Sequence, residues 1–179
     1  MKNDKRIEVI IDDITRVEAE ALVNAANSRL EGGGGVDGAI HKAAGPGLLA
    51  ECMTLGGCPA GEACLTGGHN LRAAYIIHTV GPVWRGGHRD EHAQLASCYQ
   101  ASLRLAAENK IRTIAFPAIS TGAYGFPSDQ AALIALTETK RFISRSPYPE
   151  KVIFVLFDQK TYNMYLKVLN NEETAGKDK

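Results

Sequence analysis

No run of residues in this sequence approaches the about 20 apolar positions that a membrane-spanning helix needs, so no membrane association is expected. Nor is there an excess of charge of one sign: 20 Lys and Arg balance 20 Asp and Glu. Nonspecific nucleic-acid binding depends on a basic surface that neutralises phosphates, so no such partner is expected either. A nucleotide-sized ligand stays compatible with that balance, because backbone amides hold a phosphate without net positive charge. The four cysteines, Cys52, Cys58, Cys64 and Cys98, form no C-x-x-C pair, which argues against a zinc ribbon. The stretch Met1-Lys2-Asn3-Asp4-Lys5-Arg6 lacks the apolar core of a secretory signal. The expectation is a cytoplasmic protein with free thiols. No internal repeat, low-complexity block or linker interrupts the chain, and 179 residues suffice for one domain with a core. That domain is expected to span 1–179, with its core at about 6–169 and a polar, mobile tail at 170–179.

What is present is an alternation of apolar runs with helical periodicities. Arg6 to Asp12, Ala21 to Val23, Glu62 to Gly67, Ala73 to Val80, Arg112 to Phe116 and Lys151 to Phe157 read as strands. Val36 to Ala44, Leu48 to Leu55, Asp90 to Glu108, the run from Pro127 to Ile143, and Gln159 to Leu169 read as helices. Several strands are uniformly apolar, as expected when both faces of a sheet are covered. This predicts an α/β fold, an α/β/α sandwich with a mostly parallel sheet. Ligands of such sheets sit beyond the carboxyl ends of the strands. Asp13, Asn27, Ser120 and Asp158 all follow predicted strands and could share one crevice.

The chain is organised around Asn24-Ala25-Ala26-Asn27 and the four glycines Gly32 to Gly35, which lead into the Val36 helix. A glycine loop running into a helix N-terminus offers free N–H groups and a positive dipole end, which suits a phosphate. Asp37 adds a carboxylate in the first turn. A Rossmann site is excluded. The strand ends about eight residues before the loop, and no acidic residue stands about 20 residues downstream in a second strand. A Walker loop is excluded because no Gly-Lys-Ser/Thr follows.

A second loop, Ala118 to Pro127, joins a strand to a helix and carries Ser120, Thr121 and Gly122. It resembles a nucleophile elbow only in part. All five histidines precede Ser120, whereas a hydrolase triad of that type places His last. A second phosphate cradle, built from amides and the hydroxyls of Ser120 and Thr121, is the better reading. His88-Arg89-Asp90-Glu91-His92 matches H-x-x-E-H, but His88 falls before the helix and no third ligand is evident, so no metal is expected. Asp13 could accept from an adenine amino group. Phe157-Asp158 reads either as an aromatic wall for a base or as a core phenylalanine beside a helix cap.

Taken in order, these stretches resemble the macrodomain family, and within it the subgroup that hydrolyses O-acetyl-ADP-ribose and ADP-ribose adducts. The matching pieces are Asp13-Ile14-Thr15, Asn24 to Asn27, Gly32 to Gly38, His78 to Trp84 and Pro117 to Gly122, spread over about residues 7 to 158. The resemblance implies a three-layer α/β/α sandwich with a mixed sheet. It also implies a hydrolase acting on an ester at the distal ribose of ADP-ribose, or else a non-catalytic reader of ADP-ribose. Ligands would be ADP-ribose-containing small molecules and mono-ADP-ribosylated proteins, with no cofactor. By the same resemblance Asp13 and Ile14 hold the adenine. Gly33, Gly34, Gly35 and Val36 clasp the diphosphate from one side, and Ser120, Thr121, Gly122, Ala123 and Tyr124 from the other. Asn27 and Asp37 contact the distal ribose and support catalysis, and Phe157 lies near the ligand. One departure is visible: the family usually has Gly before the adenine-binding Asp, and Asp12 stands there.

Overall fold

A computed structural model describes residues 5–175, with side chains to residue 171. Six strands form one sheet: β1 (Ile7–Ile11), β2 (Ala21–Ala25), β3 (Ala63–Gly67), β4 (Tyr75–Thr79), β5 (Thr113–Phe116) and β6 (Lys151–Leu156). Their order is β1-β6-β5-β2-β4-β3. Every pairing is parallel except β3 against β4, so the sheet is mixed and mostly parallel. The antiparallel strand follows from the short β3–β4 connection, since parallel neighbours need a crossover of a dozen or more residues. The helices are α1 (Gly35–Ala44), α2 (Pro46–Thr54), α3 (Glu91–Glu108), α4 (Ser128–Ile143) and α5 (Gln159–Ala175).

Strand alternation divides the core into two layers. On β2, Ala21 and Val23 face the cluster built with Leu95 and Tyr99 of α3, Leu136 of α4 and Tyr165 of α5. Leu22 faces the other way, toward Ile40 of α1 and Leu48 and Cys52 of α2. The result is a three-layer α/β/α sandwich. Phe116 and Phe154 stack at 5.8 Å between ring centroids, and Tyr99 lies 5.2 Å from Phe116. All three are fully buried, so truncating Phe154 to Ala would cost about 3–5 kcal/mol.

The elements depart from the sequence reading at their ends. β2 runs on to Ala25, which carries Asn24 into the sheet. α2 starts at Pro46, whose fixed φ suits a first helical position. A 3-10 turn at Ile14–Arg16 follows β1, capped by the Asp13 side chain. α5 continues past the expected end at Leu169 to Ala175; the rest of the expected polar tail, residues 176–179, lies outside the described residues, as do residues 1–4. No helix among the described residues is long and apolar enough to cross a membrane.

Candidate active site

β2 and β5 are parallel neighbours, yet the chain leaves them toward opposite faces of the sheet. α1 follows β2 on one side and α4 follows β5 on the other. A crevice opens at such a switch point, beyond the carboxyl ends of the strands. Across this edge stand, in strand order, Asp13 after β1, Phe157 after β6, the Ser120 loop after β5, and Asn27 with the glycine loop after β2. Three interstrand gaps separate β1 from β2, roughly 14 Å in all. The four segments therefore form a row long enough for an extended dinucleotide-like ligand.

The glycine loop is shaped by Asn27. Its Nδ2 donates to the Gly32 carbonyl at 2.7 Å, and its Oδ1 accepts from Glu31 N at 3.3 Å. Gly33 to Gly35 are exposed, and α1 begins at Gly35 with no side-chain cap on its first amides. Gly38 lets the loop lie against the helix: a Cβ there would stand 2.3 Å from the Gly33 carbonyl oxygen. A Cβ on Gly33 would come 3.3 Å from Asp37 Oδ2 and 3.8 Å from Asn27 Nδ2, so the Asp37 carboxylate and the Asn27 amide converge on this glycine.

Asp37 is buried at 7% exposure, in the first turn of α1. Asn24 Nδ2 donates to its Oδ1 at 2.8 Å, and His41 Nε2 lies 3.5 Å from the same oxygen, one helical turn along. Behind Asn24, its Nδ2 is 3.1 Å from His78 Nδ1, and His78 Nε2 is 2.8 Å from Thr66 Oγ1. Burial, then the neighbouring His41, lowers the His78 pKa to about 4, while Glu51 opposes the shift. His78 is therefore neutral at pH 7.

The second loop is built differently. Ser120 adopts φ +64°, a left-handed conformation unusual for a residue with a side chain. It is buried, and its Oγ has no hydrogen-bond partner among the described residues. β4 ends against it: a Cβ on Gly81 would meet Ser120 Oγ at 2.1 Å. Thr121 departs from expectation. Its hydroxyl donates to Ala118 O at 2.9 Å, so that proton is not offered to a phosphate. Gly122 is exposed, and a Cβ added there would meet nothing within 4 Å among the described residues. Gly122 to Gly125 close a turn, Gly125 N donating to Gly122 O at 3.0 Å, with Ala123 exposed at its tip. The Tyr124 carbonyl accepts from Trp84 N at 2.8 Å, and the Trp84 ring packs 4.8 Å from Phe126 and edge-on to His92.

Glu91 holds the segment that carries Trp84. Its buried carboxylate accepts from the backbone N–H groups of Arg85, Gly87 and Arg89 at 2.6–3.2 Å. Burial alone would raise its pKa, but these donors and its own N–H outweigh that and bring it down to about 2. This accounts for the H-x-x-E-H match without zinc: Glu91 is engaged with backbone amides, and His92 Nε2 pairs with Gln130 Oε1 at 2.6 Å. At the far end of the row Asp13 Oδ1 accepts from Thr15 N and Oγ1, bonds in which Oδ2 takes no part. The side-chain bond to Thr15 first, then the backbone bond, lowers its pKa. Asp12 folds its own carboxylate back onto Asp13 N at 2.7 Å. Ile14 is buried in the core cluster with Leu22 and Ile40. Phe157 is 88% exposed at the end of β6, so it is no core residue, while Asp158 caps α5 through Thr161 N.

The Macro domain model matches residues 23–135, more than half of the chain. The chain belongs to the macro domain family. It is 54% identical to an O-acetyl-ADP-ribose deacetylase of Pantoea vagans, over 93% of this chain and 99% of that protein. It is 55% identical to an ADP-ribose glycohydrolase of Xenopus laevis, over 88% of this chain and 38% of that longer protein. A mutant macrodomain of Oceanobacillus iheyensis, solved with ADPR, superposes at TM-score 0.90 with 40% identity and covers 94% of each chain.

In this macro domain Asn27, Gly33 and Asp37 come together after β2, Ser120 to Tyr124 follow the neighbouring strand β5, and Phe157 and Asp13 follow β6 and β1 further along the same edge. Sequence reasoning missed Asn24, His41, His78 and Thr66 as neighbours of the acid. His41 could have been found from its i, i+4 spacing to Asp37. Asn24 reaches the acid where α1 packs on β2, and His78 and Thr66 line up behind Asn24 only through strand pairing.

Proposed function

We propose that this macro domain is a hydrolase that cleaves an ester at the distal ribose of ADP-ribose. Its substrates are O-acetyl-ADP-ribose and proteins mono-ADP-ribosylated on Asp or Glu. The observation that carries the reading is Asp37: a buried carboxylate with Oδ1 fixed by Asn24 and Oδ2 turned toward Gly33, at one end of a crevice long enough for ADP-ribose. The names of the relatives from Pantoea vagans and Xenopus laevis, and the ADPR in the Oceanobacillus iheyensis structure, support it.

In this reading Asp13 takes the adenine amino group, the Ile14 backbone sits beside it, and Phe157 stacks near the adenosine. The exposed backbone of Gly33 to Val36 faces the amides of Gly122 to Tyr124 across the diphosphate. The unpartnered Ser120 hydroxyl then finds its partner in a phosphate oxygen. Asn27 keeps one Nδ2 hydrogen for a ribose hydroxyl. Water adds to the acyl carbon while Asp37 Oδ2 orients it and accepts its proton. The ester C–O bond breaks, and the departing ribose oxygen recovers the proton. Proximity within a clasped substrate supplies much of the rate. A binding-only reader has no need of the buried Asp37 beside Asn27. The balanced charge of the chain agrees with a partner bound through backbone amides and with little affinity for nucleic acid, and the reading assigns the protein to the cytoplasm.

Side-by-side turnover of O-acetyl-ADP-ribose and of a mono-ADP-ribosylated acidic protein tests the proposal. Release of acetate or of ADP-ribose is the expected result. Tight ADP-ribose binding with neither product released would leave only the reader.

A further inference from the structure

Four buried polar side chains from four different elements touch in sequence: Thr66 of β3, His78 of β4, Asn24 of β2 and Asp37 of α1. The sheet register explains the line. Asn24 is the direct partner of His78 across β2 and β4, and both project on the face covered by α1 and α2. Thr66 lies two residues from Cys64, the partner of His78 across β3 and β4, and so projects on the same face. Thr66, His78 and Asn24 are each 2% exposed or less, in a layer otherwise made of Leu22, Ile40, Leu48 and Ile76.

We infer that Thr66 and His78 are positioning residues for the hydrolytic reaction, acting through the Asn24 amide on the Asp37 carboxylate. The proton positions follow from the pairing. Asn24 Nδ2 carries two hydrogens and has two acceptors, Asp37 Oδ1 and His78 Nδ1. His78 Nδ1 must then be bare, so the ring is the Nε2–H tautomer and donates to Thr66 Oγ1. The Thr66 hydroxyl in turn donates to Gly67 O at 3.3 Å. An Asn24 amide turned over would set its oxygen against the Asp37 carboxylate, which selects the orientation with Nδ2 toward Asp37. The same orientation leaves Asn24 Oδ1 without a partner among the described residues, so the direction of the amide is imposed by its two neighbours and not by its own oxygen. With Oδ1 held in this way, Asp37 keeps Oδ2 toward Gly33, where the substrate end of the crevice lies.

This inference rests on the proposed esterase reading, and its test separates the two. In the full-length protein, Thr66→Val removes the hydroxyl at nearly constant volume, Thr66→Ser retains it, and His78→Leu removes the ring. Steady-state hydrolysis of O-acetyl-ADP-ribose should show kcat lowered about threefold in Thr66→Val and about tenfold in His78→Leu, the scale of one lost hydrogen bond between neutral groups. KM and the ADP-ribose Kd should stay unchanged, and Thr66→Ser should keep the parental kcat. A structural role alone would lower melting temperature without this split between kcat and KM. If His78→Leu does not fold, the Thr66→Val and Thr66→Ser pair decides. Nitrogen NMR of His78 needs no activity at all: the Nε2–H tautomer is expected at neutral pH, and the Nδ1–H tautomer overturns the relay even if the parent proves to be a reader. Folded Thr66→Val and His78→Leu proteins with parental kcat would also overturn it.

Discussion

The two loops that flank the crevice reach the same edge by opposite means. The glycine loop has almost no side chains of its own, and what fixes it lies beneath: Asn27 on its carbonyl, Asn24 on the acid, His78 and Thr66 behind. The Ser120 loop is held from outside and by apolar contact. Trp84 packs on Phe126, and Glu91 ties down the segment that carries Trp84. Polar order under the first loop fits chemistry, where a carboxylate must be aimed. Aromatic packing around the second fits binding, where amides need only a firm support.

Changes at the second loop should therefore cost affinity before rate. The largest effect is expected at Gly122. A Cβ there meets nothing within 4 Å and Gly122 has no positive φ, so side chains are tolerated in the free protein. Gly122→Glu should fold normally and lose ADP-ribose binding by a factor of at least about 100, through steric block and repulsion between carboxylate and diphosphate. Gly122→Ala should lose less than about tenfold. Calorimetry at low salt distinguishes them, and parental affinity in Gly122→Glu would remove this loop from the site.

The two sides should also respond to acid in separate windows. His78 is held neutral, with its pKa near 4 against 6.5 for the free side chain. The stability it contributes is complete above about pH 6.5 and declines as pH falls toward 4, because the unfolded chain takes up the proton first. Glu91, near 2 against 4.5, contributes stability that is complete above about pH 4.5 and lost as pH falls through about 2. Melting curves of His78→Leu should lose the upper window and those of Glu91→Gln the lower one. A parental pH dependence in either variant would contradict its assignment.

The smallest effect concerns Ser120. Its φ of +64° costs a residue with a side chain about 1 kcal/mol that glycine avoids. Ser120→Gly should leave stability level or raise it by about 1 kcal/mol in urea unfolding, while ADP-ribose binding falls several-fold with the lost hydroxyl. A drop in stability would show that the serine side chain supports the loop.

Much of this division was legible in the sequence, because its signals are local. Period-2 and period-3.6 patterns placed the strands and helices within about two residues at most ends, and the glycines and Ser120-Thr121-Gly122 marked the loops. The relay was not legible. Asn24, His78 and Thr66 lie far apart in the chain, and only the order β2-β4-β3 brings them together. The Thr121 hydroxyl bond to Ala118 and the exposure of Phe157 are likewise set by the fold of the edge. The end of α5 was placed six residues early because polar residues after Leu169 extend a helix as readily as they end it.

The division of labour is tested most directly at Asp37, by measuring ADP-ribose binding and O-acetyl-ADP-ribose turnover on one preparation of Asp37→Ala. The account predicts turnover lowered by about 100-fold or more, the scale of a lost acid–base group, with affinity within a few-fold of the parent. Full turnover with unchanged binding would contradict it.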